Sequence, residues 1–239
     1  PDSGDAGLAI GAALDAYYSI EKKDKQNPIK KLEHLYYGPS FSNDVIKDTL
    51  DQKAIKYKYF ANIELEVAKY LEDNLTIGWF QGRMEIGPRA LGNRSILMSP
   101  IRAENKDIIN AKIKYRESFR PFCPSIHIDK ANEWIDNSKD EKFMASSFKA
   151  NEINKNRIPA VVHVDGTLRP QLVSKEINPR YYNLIEEFYK LTHVPILLNT
   201  SFNVKGEPIV CTPVDAIRCF YSSGIDILVL NNYVIYKNQ

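Results

Sequence analysis

A short apolar run, Leu75 to Phe80, opens straight into residues 79–95, WFQGRMEIGPRALGNRS, where Arg83, Arg89 and Arg94 are interleaved with Gly82, Gly87 and Gly92. No other stretch limits the possible folds as strongly. A core segment does not carry a guanidinium every five or six residues between glycines. Glycines let backbone N–H groups approach a ligand, and arginine grips planar anions through paired hydrogen bonds. Strand, glycine-rich turn and arginines, in that order, are the layout of a phosphate or carboxylate cradle at a strand end. The competing reading is a surface loop with solvated charges.

A second stretch answers the first. Residues 112–122, KIKYRESFRPF, set Lys112, Lys114, Arg116 and Arg120 among aromatics and a proline. Between Gly82 and Arg120 nine Lys or Arg stand against four acids, a local charge of +5 in a chain of net charge +2, so the rest sums to −3. Positive charge gathered in an otherwise slightly acidic chain favours a discrete polyanionic ligand over a broad nucleic-acid face.

The 239 residues, 44% hydrophobic and 26% charged, are enough to bury a sizeable core. Cys123, Cys211 and Cys219 are odd in number, widely spaced and without C-x-x-C, which reads as small buried residues in a reducing, cytoplasmic compartment. No apolar run reaches the ~18 residues of a membrane span. The chain opens on Pro1, inside what looks like a motif, so part of the natural protein is expected upstream.

Along the chain, a helix is expected from Leu8 to Tyr17, with Gly7 and Gly11 allowing a close neighbour, and a linker or surface excursion over residues 21–40. Helices are expected over 44–52, capped by Asn43, over 63–72, and over 107–115. Residues 124–128 read as a strand, 130–136 as a short helix, 143–148 as a possible strand and 158–164 (IPAVVHV) as a buried strand. A helix over 181–191, a strand at 195–199 and a helix opened by Thr212-Pro213-Val214-Asp215 and closed by Gly224 follow. Strands 225–230 and 233–237 form a hairpin about Asn231-Asn232. Strands alternating with helices predict an α/β or α+β layered fold.

Two strand ends carry polar clusters, residues 163–171 (HVDGTLRPQ) and 199–203 (NTSFN). Ligands gather outside strand ends in open α/β sheets, so both clusters face the arginine cradle in this reading. The alternative is turn chemistry, which uses the same residue types. There is no G-x-x-x-x-G-K-[ST], H-E-x-x-H, G-x-S-x-G or zinc-spaced Cys/His set, and of four scattered histidines only His163 adjoins a cluster. Few bases and many cations point to positioning and charge neutralisation.

In order and spacing, GRMEIGPRALGNRSIL, KIKYRESFRPFCPSI, VDGTLRPQLV and LNTSFNVKGEPIV resemble the carboxy-terminal half of the NodU/CmcH family of O-carbamoyltransferases, which includes the TobZ type. The likeness covers roughly residues 41–239 and implies a YrdC/Sua5-like twisted mixed sheet flanked by helices. The opening PDSGDAGLAIGAAL is similar to the end of that family's amino-terminal Kae1-like (ASKHA) domain, so residues 1–40 would be its helical remnant and linker.

The resemblance implies that carbamoyl phosphate and ATP, with Mg2+, give carbamoyl adenylate and pyrophosphate. The Kae1-like domain would then pass the carbamoyl group to a hydroxyl of a small acceptor, whether a sugar, an aminoglycoside or a cephem side chain. By the same likeness Arg89, Lys114, Arg120, Arg169 and Ser201 surround the reacting groups. Arg83, Arg116, Asn199 and His163 are further binding candidates. Asp5 matches one ligand of an Fe2+ site whose histidine partners are absent from this sequence. Rival readings are a double-stranded RNA or nucleotide-binding module, and a tRNA threonylcarbamoylation-type enzyme of the same fold.

Overall fold

Eight short strands lie side by side in one mixed sheet, and the residues that leave it at one edge are the polar clusters of the sequence. The computed structural model describes residues 7–20, 32–117 and 119–237. In chain order the strands are β1 (Lys58–Tyr59), β2 (Ile77–Phe80), β3 (Arg94–Met98), β4 (Cys123–His127), β5 (Phe148–Lys149), β6 (Thr167–Leu168), β7 (Gln171–Val173), β8 (Ile196–Ser201), β9 (Ile227–Leu230) and β10 (Tyr233–Tyr236). The large sheet runs β1-β10-β9-β2-β3-β8-β4-β7, and β5 pairs with β6 apart from it.

Register decides what meets at the edge. Phe80 lies opposite both Arg94 and Leu230, Ser95 opposite Ser201, Cys123 opposite Asn199 and Ser125 opposite Gln171. The carboxyl ends of β2, β8 and β9 and the amino ends of β3, β4 and β7 therefore share one side of the molecule. The arginine loop after β2 and the NTSFN segment both emerge there.

Helices close the sheet by regular burial. In α2 (Asn43–Gln52), Ile46 and Leu50 are buried four residues apart, and the cap is Ser42, whose hydroxyl accepts from Val45 N; Asn43 is the first helical residue instead. In α3 (Ile63–Glu72), Ile63, Val67, Ala68 and Leu71 form the buried stripe. It packs along α5 (Pro179–Thr192), which buries Tyr181, Leu184, Ile185 and Phe188. The helix α6 (Pro213–Tyr221) starts with a complete capping box between Thr212 and Asp215. Removing it in Asp215→Ala is expected to cost on the order of 1 kcal/mol, read as a lowered urea midpoint with an unchanged slope. This helix ends at Ser222, and Gly224 serves another purpose: a Cβ there would lie 2.6 Å from that of Lys112.

Several expectations are corrected. Residues 158–164 are not a strand. Ile158, Ala160 and Val161 are buried as the composition suggests, but the N–H groups of Ile158 and Val161 close turns, that of Ala160 donates to the Pro100 carbonyl, Pro159 has none to give, and Val164 is fully exposed. Of the 143–148 segment only Phe148 is in a strand, β5, because the N–H groups of Phe143, Ala145 and Ser146 turn inward to the buried Glu141 carboxylate at 3.0–3.1 Å. The 130–136 helix is a 3-10 turn over Ile128–Glu133. The 107–115 helix is α4 (Glu104–Ile109) running on as a π turn, Asn110–Lys114, stopped by Tyr115 in the left-handed region. Such a turn is a frequent companion of functional sites.

Helix α1 (Leu8–Ile20) forms where expected and none of its side chains is buried. Residues 35–39 are not the linker that their composition suggests. Tyr36 donates to the Leu91 carbonyl, Gly38 N donates to that of Met84, and Leu35 is buried beside Leu91, Cys123 and Met144. They buttress the arginine loop from outside the sheet.

Candidate active site

The loop after β2 is folded around its own carboxylate. Glu85 is buried, and its Oε1 accepts from Leu91 N at 2.6 Å and Asn93 N at 2.8 Å. Burial raises its pKa, opposed by these amides and by Arg94. The backbone N–H groups around Gly92, which the glycine pattern offered to a ligand, are thus already taken. Arg94 is spent as well: it is wholly buried, donates to the carbonyls of Gln81 (2.5 Å), Asn93 (3.0 Å) and Pro39 (3.2 Å), and stacks on Phe80. Burial lowers its pKa to about 10. It is a bracket for the loop, not a ligand group.

Arg89, at the loop's tip, hydrogen-bonds no other described residue and reaches a hollow of about 120 Å³. Arg116, Arg169, Cys123, Asn199, Thr200 and Ser201 line the same space. Arg116 is aimed by its Nε bond to Asn110 Oδ1 (2.7 Å) and by Phe122 beneath its guanidinium. Among the described residues Arg169 hydrogen-bonds only the Cys123 sulfur, 3.2–3.4 Å away, a weak acceptor that leaves the guanidinium available to a stronger anion. A second hollow of about 250 Å³ adjoins it, sharing Arg116, Thr200 and Ser201 and adding Lys114, Arg120, Asn203 and Lys205. The four cations carried over from the family likeness thus divide, Arg89 and Arg169 on one side and Lys114 and Arg120 on the other, with Arg116 and Ser201 between them.

Lys114 is buried at the end of the π turn, and its ammonium is shared among Ser201 O (2.6 Å), Ser201 Oγ (3.2 Å), Asn203 O (3.0 Å) and Asn203 Oδ1 (2.6 Å). It shapes the turn after β8 as well as charging the hollow. Burial, with Arg116 nearby, lowers its pKa from 10.5 to about 7. Between those two values the unfolded chain binds the extra proton, so this group makes stability rise with pH across that window. Urea denaturation at pH 7 and pH 9 is expected to show that rise in the wild type and a smaller one in Lys114→Met.

A family model described as carbamoyltransferase C-terminus matches residues 68–237. The chain belongs to this family. The nodulation protein NolNO of Sinorhizobium fredii is 42% identical over 99% of the chain, and NolO of Bradyrhizobium diazoefficiens 41% identical over 99%. The chain spans only 35% and 44% of those two relatives' lengths. Full-length HypF, solved in a phosphate- and nucleotide-bound form, superposes with a TM-score of 0.51 and 19% identity over 72% of this chain and 25% of its own. That likeness carries the fold alone, a mixed YrdC-like α/β sheet.

Not every candidate meets in these hollows. Arg83 is exposed, donates to the carbonyls of Gly38 (3.0 Å) and Tyr37 (2.8 Å), and lines a separate groove with Gln81, Asn178 and Arg180. His163 lines neither hollow; its Nδ1 meets Thr167 Oγ1 at 3.2 Å and burial lowers its pKa. Asp165 closes the same turn through Thr167, which favours the turn reading for residues 163–167 of that cluster. Asp5 lies outside the described residues. Among those described, no three His, Cys, Asp or Glu side chains are placed to hold a metal. Sequence reasoning missed Cys123, read as a small apolar residue. Its signal was its place directly after the cation-rich KIKYRESFRPF.

Proposed function

We propose that this chain is the adenylate-forming part of an ATP-dependent O-carbamoyltransferase. The observation that carries this reading is the pair of adjoining hollows, with Arg116, Thr200 and Ser201 common to both, Arg89 and Arg169 in the narrower and Lys114, Arg120 and Lys205 in the wider. Carbamoyl phosphate and a nucleoside triphosphate bring several negative charges to one place, and guanidinium groups on separate, rigid elements hold them in reacting geometry. The narrower hollow suits carbamoyl phosphate, between Arg89 and Arg169. The wider one suits the nucleotide phosphates, with Arg120 and Lys205 at its rim.

The atoms balance as two displacements. Water releases phosphate from carbamoyl phosphate, leaving carbamate; a carbamate oxygen then attacks the α-phosphorus of ATP, expelling pyrophosphate and giving carbamoyl adenylate. Arg116 sits between the hollows, where charge is transferred from one substrate to the other. Mg2+ would arrive on the nucleotide, held mainly by phosphate and water oxygens, since Glu117 is the one acid among the described residues lining either hollow. The hydroxylated acceptor, and the rest of an Fe2+-binding Kae1-like portion whose end would be Asp5 and α1, fall to the part of the relatives that this chain does not span.

Carbamoyl phosphate-dependent exchange of labelled pyrophosphate into ATP tests the reading. Exchange that needs both substrates supports it. A chain that neither exchanges pyrophosphate nor binds carbamoyl phosphate in a titration overturns it.

A further inference from the structure

One residue that lines the narrower hollow, Asn199, carries a buried acceptor with no donor among the described residues. Asn199, 2% exposed, lines it beside Arg89 and Arg169. Its Nδ2 donates to the Ala90 carbonyl at 3.2 Å and to Ser125 Oγ at 3.0 Å, while its Oδ1 is buried and meets no donor among the described residues.

This orientation is imposed by a chain of partners. Gln171 Nε2 donates to the Leu91 carbonyl at 2.8 Å, which turns Gln171 Oε1 toward Ser125. Ser125 gives its one hydroxyl proton to that oxygen at 2.9 Å, so toward Asn199 it can only accept. An amide turned the other way would set its oxygen against the Ala90 carbonyl, lone pair to lone pair. The network therefore holds the Asn199 oxygen without a partner, and a buried acceptor in that state costs stability unless a ligand supplies the donor. Asn199 also stands two residues before Ser201 on β8, on the same side of the strand.

We propose that Asn199 Oδ1 receives an N–H of the substrate's carbamoyl amide and so distinguishes a carbamoyl group from an acyl group of the same shape. The inference rests on reading this hollow as the carbamoyl phosphate site. Acetyl phosphate is the matched probe, because a methyl replaces the amide NH2 and has no proton to donate. A site built around a buried hydrogen-bonding group rejects the analogue that leaves it unpaired far more strongly than a hydrophobic pocket rejects a change of size.

Isothermal titration of the 239-residue chain with carbamoyl phosphate, acetyl phosphate and inorganic phosphate tests this. The wild type is expected to bind carbamoyl phosphate roughly 10- to 100-fold more tightly than acetyl phosphate. Asn199→Ala brings the two affinities together, and Ser125→Ala, which removes one of the two groups that orient the amide, narrows the gap part-way. A merely structural role would weaken both ligands alike and leave their ratio unchanged. Equal wild-type affinity for carbamoyl and acetyl phosphate overturns the role of Asn199 and leaves the anion site standing; that comparison needs no variant to fold. Failure to bind any of the three removes the carbamoyl phosphate reading, and this inference with it.

Discussion

Arg169→Ala is expected to weaken carbamoyl phosphate binding roughly 30- to 150-fold, the equivalent of about 2–3 kcal/mol for one charge-assisted contact to an anion. The size of the effect follows from where the guanidinium stands. It is half-buried in the hollow and, among the described residues, hydrogen-bonds only the Cys123 sulfur and pairs with no carboxylate. Arg89 faces the same space from the loop after β2 without a hydrogen bond to another described residue. Because both grip one phosphate in this reading, Arg89→Ala combined with Arg169→Ala should cost less than the two losses added together. Titration of each variant decides it. Wild-type affinity in Arg169→Ala would remove this residue from the anion site, whatever its distance from the others.

The second large effect belongs to stability. Gly92 has φ +101°, and a Cβ placed there would lie 2.2 Å from Cδ1 of Tyr181, a residue with no exposed surface. The neighbouring groups have little room to yield: the Gly92 carbonyl accepts from Trp79 Nε1 at 2.9 Å, and its N–H donates to Ser95 Oγ at 3.1 Å. Backbone strain and overpacking act together, and Gly92→Ala is expected to lose on the order of 3–5 kcal/mol, a large part of what a domain of this kind has. Urea denaturation measures it. The double variant Gly92→Ala with Tyr181→Leu should recover part of the loss, because the smaller side chain removes the steric term and leaves only the strain. No recovery would place the whole cost in the backbone.

Glycine was legible at this position, but its purpose was not. In the sequence, Gly92 and its neighbours looked like openings through which backbone amides reach a ligand. In the folded chain Glu85 Oε1 fills that opening, and Gly92 is required by a ring of α5, a helix that lies almost ninety residues further on. The same holds for Arg94, whose charge suggested a ligand and whose guanidinium is consumed by carbonyls. Burial of a charge is a property of the packed state and leaves no local mark. Strand against turn was equally hidden at residues 158–164, since a short apolar run records that it is buried and not where its N–H groups point.

What the sequence determined by itself was what depends on near neighbours along the chain. The amphipathic spacing of α2, α3 and α5, the Thr212–Asp215 cap and the β9–β10 hairpin are all decided within a few residues, and the ordered motifs identified the family. Only the tertiary structure decided which cations face a common space. Arg89, Arg116 and Arg169 come from three separate segments, and the antiparallel pairing of β8 with β3 and β4 is what sets those segments around Asn199 and Ser201. Sheet register acts across a hundred residues, so it distinguished Arg89 from Arg83 and Arg94, three arginines that local composition could not tell apart.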